Sequence, residues 1–110
     1  MYTVAKEFVQ ECYKATKNLP VEERFNLSSQ IRRAALSVHL NIAEGCSRKS
    51  EMERKRYFEI ARGSLIEVDA ALDICEALGY YNYTDAEPLG NSLIRCFSML
   101  SKMISGIRET

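Results

Sequence analysis

The segment LSSQIRRAALSVHLNIAEG, residues 27–45, carries the pattern that decides the fold. Its apolar residues Leu27, Ile31, Ala34, Val38 and Ile42 recur at steps of three and four, which places them on one face of an α-helix. The same spacing predicts one helix before this segment and two after it. The three further stripes are Ala5, Phe8, Cys12, Ala15 and Leu19; Phe58, Ala61, Leu65, Val68, Leu72 and Cys75; and Ala86, Leu89, Leu93, Cys96, Leu100, Met103 and Ile107.

Proline and glycine separate the predicted helices. Pro20 breaks the chain after the first helix, Gly45 is predicted to end the second, and Gly79 is predicted to end the third. Short connections of this kind make neighbouring helices antiparallel. We therefore predict an all-α fold, an antiparallel up-down-up-down four-helix bundle, formed by a single domain over residues 1–110.

The starts of the third and fourth helices carry capping signals. Ser50 followed by Glu53 forms a capping-box pattern at the start of the third helix. Two alternatives remain open for the fourth helix: Thr84 with Glu87 as a capping pair, or Glu87 as the cap with Pro88 in the first helical position.

Composition and length exclude several classes of protein. The 110 residues are 46% hydrophobic and 27% charged, which is the composition of a folded globular domain. No apolar run reaches the roughly 18 residues that a membrane-spanning helix needs, and residues 1–14 lack the uninterrupted apolar core of a signal peptide. We therefore expect a cytoplasmic protein with no membrane partner.

Side chains that carry catalysis or hold metals are sparse. The cysteines at positions 12, 46, 75 and 96 form no C-x-x-C pair, and the only histidine is His39. Cys46 lies beside basic residues, but His39 is seven residues away on the same predicted helix. Asp69 and Asp73 are one turn apart without the E-x-x-H motif of carboxylate-bridged metal bundles, which favours a solvated face. The sequence predicts no enzyme, no cofactor and no metal.

Charge is unevenly distributed although the net charge is zero. From residue 24 to residue 62 there are nine basic and four acidic residues, a net of +5, whereas residues 63–94 contain six acidic residues and no basic one. The densest basic cluster consists of Arg48, Lys49, Arg54, Lys55 and Arg56. Three interpretations remain open: contact with phosphates, contact with the acidic region of a neighbouring subunit, and a solvated helix start.

The second predicted helix has two apolar faces. Leu36 and Leu40 lie nearly opposite the stripe that contains Ile31 and Val38. Either the helix is central and covered on both sides, or these leucines mark a subunit interface, which is the interpretation we favour. Two charged residues share the leucine face and are candidates for an ion pair between subunits: Arg33 and Glu44.

Polar and small residues inside helices need a structural reason. Asn41 is predicted to bond to Ser64 or Glu67 on the third helix, because asparagine is unfavourable in mid-helix without a partner. Gly63 is predicted to mark a close approach of two helices, since it costs roughly 1 kcal/mol relative to alanine.

Three tyrosines follow the third predicted helix, at positions 80, 81 and 83. Stacking on nucleic-acid bases is one interpretation of them. A loop that covers the end of the core is the one we favour.

Three segments, in this order, carry a family resemblance: LSSQIRRAALSVHLNIAEG, ARGSLIEVDAAL and ALGYY. Through them the sequence resembles the bacterial four-helix bundle family named for proteins encoded in intervening sequences of 23S ribosomal RNA genes. The resemblance implies a toroidal homopentamer, and one branch of the family is the accessory protein of diversity-generating retroelements, which binds a reverse transcriptase and nucleic acid. It attaches no catalytic role to the signature positions. Those positions are Gln30, Arg33, Asn41, Glu44, Gly45, Arg48, Gly63, Ser64 and Glu67.

Two features depart from the family pattern. His39 stands where relatives often have proline, and the net charge is zero whereas the nucleic-acid-binding branch is basic. We therefore expect a non-enzymatic homo-oligomer, which the family resemblance implies is a pentamer, that serves as a scaffold for RNA, DNA or a reverse transcriptase. The alternative is a structural oligomer that binds only protein.

Overall fold

The computed structural model describes residues 2–81 and 86–107, and these ranges fold into helices without a strand. The elements are α1 (Tyr2–Lys17), a 3-10 turn (Val21–Glu23), α2 (Leu27–Ser47), α3 (Glu51–Ala77) and α4 (Glu87–Ser105). Four α-helices therefore form where the apolar spacing predicted them.

The four helices form a closed square in which α1 packs on α2, α2 on α3, α3 on α4, and α4 back on α1. Across the described residues the backbones of the two diagonal pairs, α1 with α3 and α2 with α4, stay more than 8 Å apart between Cα atoms. The bundle is elongated, with extents of 47 × 25 × 21 Å. The predicted four-helix bundle is confirmed, and the alternative of a central α2 covered on both sides is wrong because α2 has only two helical neighbours.

The predicted stripes supply the core. Phe8, Ile31, Phe58, Leu65 and Leu100 are among its largest fully buried side chains, one or more from each helix. The three cysteines on the predicted stripes are also buried, whereas the fourth is half-buried. The three buried thiols act as small apolar side chains, because none of them forms a disulfide and each lies among hydrophobic neighbours.

Each helix pair is also joined by a polar contact, and these contacts fix how the helices are rotated against one another. The four donor and acceptor pairs are Arg32 Nε to Thr16 Oγ1 at 2.7 Å (α2 to α1), Ser37 Oγ with Ser64 Oγ at 2.9 Å (α2 and α3), Arg62 Nη1 to Ser101 Oγ at 3.3 Å (α3 to α4), and Arg95 Nη1 to Glu7 Oε2 at 3.2 Å (α4 to α1). A rotated packing would leave the half-buried members of this set without partners.

Gly79 ends α3 as predicted. Its φ of +79° is a left-handed conformation that favours glycine, and the amides of Gly79 and Tyr80 donate to the carbonyls of Glu76 and Cys75. This is a Schellman motif, and it turns the chain back toward α1.

Two tyrosines then attach the chain to the end of the bundle. The Tyr80 hydroxyl donates to Glu23 Oε2 at 2.8 Å, and the Tyr81 hydroxyl donates to the carbonyl of Ala15. Both rings pack against the core, so the covering role predicted for them is confirmed. Tyr83 lies outside the described residues.

The helix starts agree only in part with the capping signals. Ser50 Oγ accepts from the Glu53 amide at 3.4 Å, as predicted for α3. At α4 the residue before the helix is Ala86, so Glu87 is the first helical residue and the prediction that it caps α4 is wrong. Thr84 lies outside the described residues.

Alkaline pH is expected to destabilise the bundle. Burial raises the pKa of Cys12 to about 12, that of Cys96 to about 11 and that of Tyr81 to about 12. The neutral forms are thus favoured in the folded chain, and the stability that they contribute is complete below about pH 9 and is lost as the pH rises through 9 to 12. Urea unfolding under reducing conditions between pH 7 and 11 measures this, and a stability that stays constant to pH 11 would contradict it.

Candidate interaction surfaces

Gly45 lies at a close contact between α2 and α3. A Cβ atom built at this position would lie 2.6 Å from Cε1 of Phe58 and 3.2 Å from Cβ of Tyr57. Helix α2 continues past Gly45 to Ser47, so the prediction that Gly45 ends the helix is wrong. Its missing side chain instead makes room for the buried Phe58 ring.

Gly63 has the opposite surroundings. It is exposed on α3, and a Cβ atom there would meet no atom within 4 Å. The predicted close approach at Gly63 is therefore wrong, and the close approach occurs at Gly45.

Asn41 takes part in a small polar network between α2 and α3. Its Nδ2 donates to the Ser37 carbonyl at 2.8 Å and to Ser37 Oγ at 3.0 Å, and Ser37 Oγ lies 2.9 Å from Ser64 Oγ. Asn41 therefore reaches Ser64 only through Ser37, and the predicted direct bond is wrong. Glu67 is exposed and takes no part, so it is not the partner of Asn41.

Six of the nine signature residues divide into two groups, and the other three, Arg33, Glu44 and Arg48, belong to the surfaces described next. Asn41, Gly45 and Ser64 lie in the α2–α3 contact and hold the two helices together. Gln30, Gly63 and Glu67 are exposed, Gln30 on α2 and the other two one turn apart on α3.

The outward side of α2 presents an apolar pair between two charges. Leu36 and Leu40 are 41% and 58% exposed, and Arg33 and Glu44 lie one turn beyond them on either side. We call these four residues the α2 face. The two leucines form one apolar patch that the described chain leaves uncovered, which makes this face a candidate for contact with another macromolecule.

The charged ends of the α2 face have partners within the chain. Arg33 Nη2 donates to Gln30 Oε1 at 2.6 Å, and Arg48 Nη2 donates to Glu44 Oε2 at 2.9 Å. Both contacts are local, the first within α2 and the second between α2 and the residue that follows it, and both are exposed. Exposed pairs of this kind are worth less than about 1 kcal/mol, so they can exchange for partners on a second subunit.

A basic corner joins the end of α2 to the start of α3 and consists of Arg48, Lys49, Arg54, Lys55 and Arg56. Arg48 is held within the chain: its guanidinium donates to Tyr57 Oη at 3.2 Å and lies 5.1 Å from the Tyr57 ring centroid. Tyr57 and then Glu44 raise the pKa of Arg48. Arg48 therefore serves the structure of the corner.

Three other cations of the basic corner project into solvent. Lys49, Arg54 and Arg56 are exposed, and none of them bonds to another side chain of the described residues. They lie around the first turns of α3, where the helix dipole adds positive potential. Glu51 and Glu53 in the first turn reduce this potential without pairing with these three cations.

The half-buried histidine and cysteine lie under the start of α1. The rings of His39 and Tyr2 meet edge to face with centroids 5.8 Å apart, and Tyr2 and Cys46 interact through their side chains, which raises the Tyr2 pKa. Within the described ranges no three histidine, cysteine or acidic side chains converge as metal ligands. Nδ1 of His39 is buried and has no partner there.

A groove between α3 and α4 was not predicted from the sequence. It has a volume of about 750 Å³, and its walls include the exposed apolar side chains Ile66, Ile94 and Phe97. We call it the α3–α4 groove. Asp69 and Ile94 also line a smaller, acidic groove of about 300 Å³ that continues toward the start of α4.

These surfaces and the square of helices define a small four-helix bundle protein whose exposed features are an apolar helix face, a basic corner and an apolar groove. The chain belongs to the family described as 23S rRNA-intervening sequence protein, which matches residues 1–102. No match is found among curated proteins. In the parts of the chain that the structure covers, no helix combines the length and apolar character that crossing a bilayer requires.

A solved structure with a similar fold comes from Bacteroides thetaiotaomicron. It is described as a protein of unknown function from the S23 ribosomal protein family. The two chains are 23% identical, the match covers 94% of this chain and 96% of that chain, and the TM-score is 0.85. Neither this description nor that of the family names a catalytic activity.

Proposed function

We propose that this protein is a non-enzymatic, cytoplasmic homo-oligomer, a pentameric ring, that acts as a scaffold for RNA or DNA or for an enzyme of nucleic acids such as a reverse transcriptase. The observation that carries the nucleic-acid part is the group of exposed cations Lys49, Arg54 and Arg56 without side-chain partners. The resemblance noted for the sequence supports the ring, and the uncovered leucines of the α2 face support self-association.

Oligomerisation makes the modest basic corner sufficient. Three exposed cations bind phosphates weakly, since each contributes one screened contact. A ring repeats the corner in every subunit, and several linked weak contacts give a much higher overall affinity than one contact alone. A chain of zero net charge therefore still binds nucleic acid through local charge.

Binding to nucleic acid is expected to depend steeply on salt and only slightly on sequence. The logarithm of the binding constant should fall with that of the salt concentration, with a slope of about 0.9 per neutralised phosphate on duplex DNA and about 0.7 on a single strand. Replacing Lys49, Arg54 and Arg56 by glutamine should remove most of the binding and flatten the slope. Fluorescence anisotropy with labelled RNA and DNA between 25 and roughly 200 mM salt measures both quantities.

A charge-matched control separates the basic corner from charge in general. Replacing Lys6, Lys14 and Lys17 by glutamine removes the same three charges from exposed positions of α1. Both variants must keep the oligomeric mass of the unmodified protein. Equal loss in the two variants, or an unmodified oligomer that binds neither nucleic acid at low salt, would refute the nucleic-acid function.

The second candidate function is a structural oligomer that binds only protein. The acidic groove favours it, because Asp69, Asp73, Glu76 and Glu87 offer a surface of opposite charge to the basic corner of another subunit. Under this alternative, the glutamine variant of the basic corner loses oligomeric mass instead of nucleic-acid binding. The oligomeric mass of the glutamine variant therefore distinguishes the two functions.

A further inference from the structure

We propose that the α3–α4 groove receives the α2 face of a second copy of this chain, so that subunits join head to tail. This inference rests on the homo-oligomer of the proposed function and names the two surfaces that form it. The groove has apolar walls and no occupant from the described chain, and the α2 face has apolar side chains without cover.

The order of charges along the two surfaces is complementary. The α2 face reads Arg33, Leu36, Leu40, Glu44 from its first residue to its last. The groove is acidic at one end, where Asp69 lies and the acidic groove continues, and carries Lys102 near the other. Arg33 therefore meets the acidic end and Glu44 meets the lysine when the leucines lie between them.

The spacings along the helices also agree. Arg33 and Glu44 are eleven residues apart, about 16 Å along α2 at 1.5 Å per residue. On α4, Ile94 lies beside Asp69 in both grooves and is eight residues from Lys102, about 12 Å along the helix. Glu87, at the acidic end, is fifteen residues from Lys102, about 22 Å along the helix. The opposite charges of the groove are therefore about 12 to 22 Å apart. Both charge pairs can therefore form together, with the incoming α2 parallel to α4.

The groove also has the side chains that a helix requires. Ile66, Ile94 and Phe97 offer apolar contacts to the two leucines. On the α4 wall, Ser98, Ser101 and Ser105 are small, and small residues let two helices approach closely. Burying the leucines against these walls removes apolar surface from water on both subunits.

A contact of this kind determines the symmetry of the assembly. Because the α2 face and the α3–α4 groove are different surfaces, each subunit uses one to hold its neighbour and offers the other to the next. Such heterologous contacts close into a ring or continue as a filament, and they do not form an isolated two-fold dimer.

Mixing two variants tests the head-to-tail contact. Leu36→Glu/Leu40→Glu removes the α2 face and leaves the groove, whereas Ile94→Glu/Phe97→Glu removes the groove and leaves the α2 face. Each variant alone is expected to be a folded monomer. Their mixture is expected to form a one-to-one pair, because one intact face still meets one intact groove, and sedimentation velocity at micromolar concentration measures this.

Charge reversal tests the register. Arg33→Asp and Asp69→Arg are each expected to raise the dissociation constant of the oligomer by about tenfold or more, since like charges are then opposed. The double variant is expected to return to within a few-fold of the unmodified protein. A double variant that is weaker than both single variants would overturn this register.

The outcomes separate this inference from the proposed function. An unmodified protein that is monomeric overturns both. An unmodified oligomer whose Ile94→Glu/Phe97→Glu variant keeps its mass, or whose two folded variants do not pair, overturns the docking and leaves the homo-oligomer standing. Circular dichroism shows whether each variant is folded. If a double variant is unfolded, the single variant Leu40→Glu or Ile94→Glu is used in its place.

Discussion

Glutamate at positions 36 and 40 is expected to disperse the oligomer completely and to leave the bundle folded. Leu36 and Leu40 are exposed in the isolated chain, so the new carboxylates are hydrated in the monomer. In a subunit contact the same carboxylates lose their water without gaining a partner, at a cost of several kcal/mol per ion. Light scattering coupled to gel filtration measures the mass, and circular dichroism measures the helix content.

A control variant carries the same two charges elsewhere on the surface. Val21 and Phe25 are 72% and 90% exposed near the 3-10 turn, outside the α2 face and the groove. Val21→Glu/Phe25→Glu is expected to keep the mass of the unmodified protein. Loss of helix content in the Leu36→Glu/Leu40→Glu variant would instead assign these leucines to the core, and an unchanged mass would remove them from the interface.

Alanine at position 45 is expected to destabilise the bundle by about 1 to 3 kcal/mol, the usual cost of overpacking a core. The new methyl group would lie 2.6 and 2.8 Å from two atoms of the Phe58 ring, and that ring is only 2% exposed and is surrounded by the core. The better helix propensity of alanine offsets at most about 1 kcal/mol of this cost. Urea unfolding monitored by circular dichroism measures the change.

Gly63→Ala is the matched control, and we expect it to stabilise the bundle where Gly45→Ala destabilises it. Gly63 is a mid-helix glycine on α3 with open space around its Cα, so Gly63→Ala gains up to about 1 kcal/mol of helix propensity and meets no atom. Measuring both variants in a monomeric background, such as Leu36→Glu/Leu40→Glu, keeps the effect of assembly out of the comparison. Equal destabilisation by the two alanines would contradict the packing described for Gly45.

The apolar faces could be predicted from the sequence because helical periodicity is a local property. Leu36 and Leu40 follow Ile31 by five and nine residues, and this spacing alone turns them away from the core stripe. The exposure of both leucines confirms that part of the prediction. Periodicity does not say what covers an exposed face, so the interface itself stays a prediction.

The roles of the two glycines could not be predicted in the same way. Sequence shows that a mid-helix glycine is unfavourable, but not which atom of another helix comes near it. That depends on how α2 and α3 are rotated at their crossing, which places Gly45 of α2 against Phe58 of α3 and leaves Gly63 of α3 in open space. The partner of Arg48 depends in the same way on the chain reversal that brings Tyr57 back to α2.

The α3–α4 groove lay beyond sequence analysis for a related reason. Ile66 and Ile94 fall outside the regular stripes of their helices, and each alone is an ordinary exposed apolar residue. They form one groove only because α3 and α4 are held side by side, with Arg62 bonded to Ser101.

The closeness of α2 and α3 also bears on the order in which the chain folds. Gly45 and Phe58 are thirteen residues apart, whereas the contact of Glu7 with Arg95 spans 88 residues. The entropy lost on closing a loop grows with its length, so the α2–α3 hairpin is the least costly long contact to form and the α4–α1 contact the most costly. We therefore expect the α2–α3 contact to form before the α4–α1 contact.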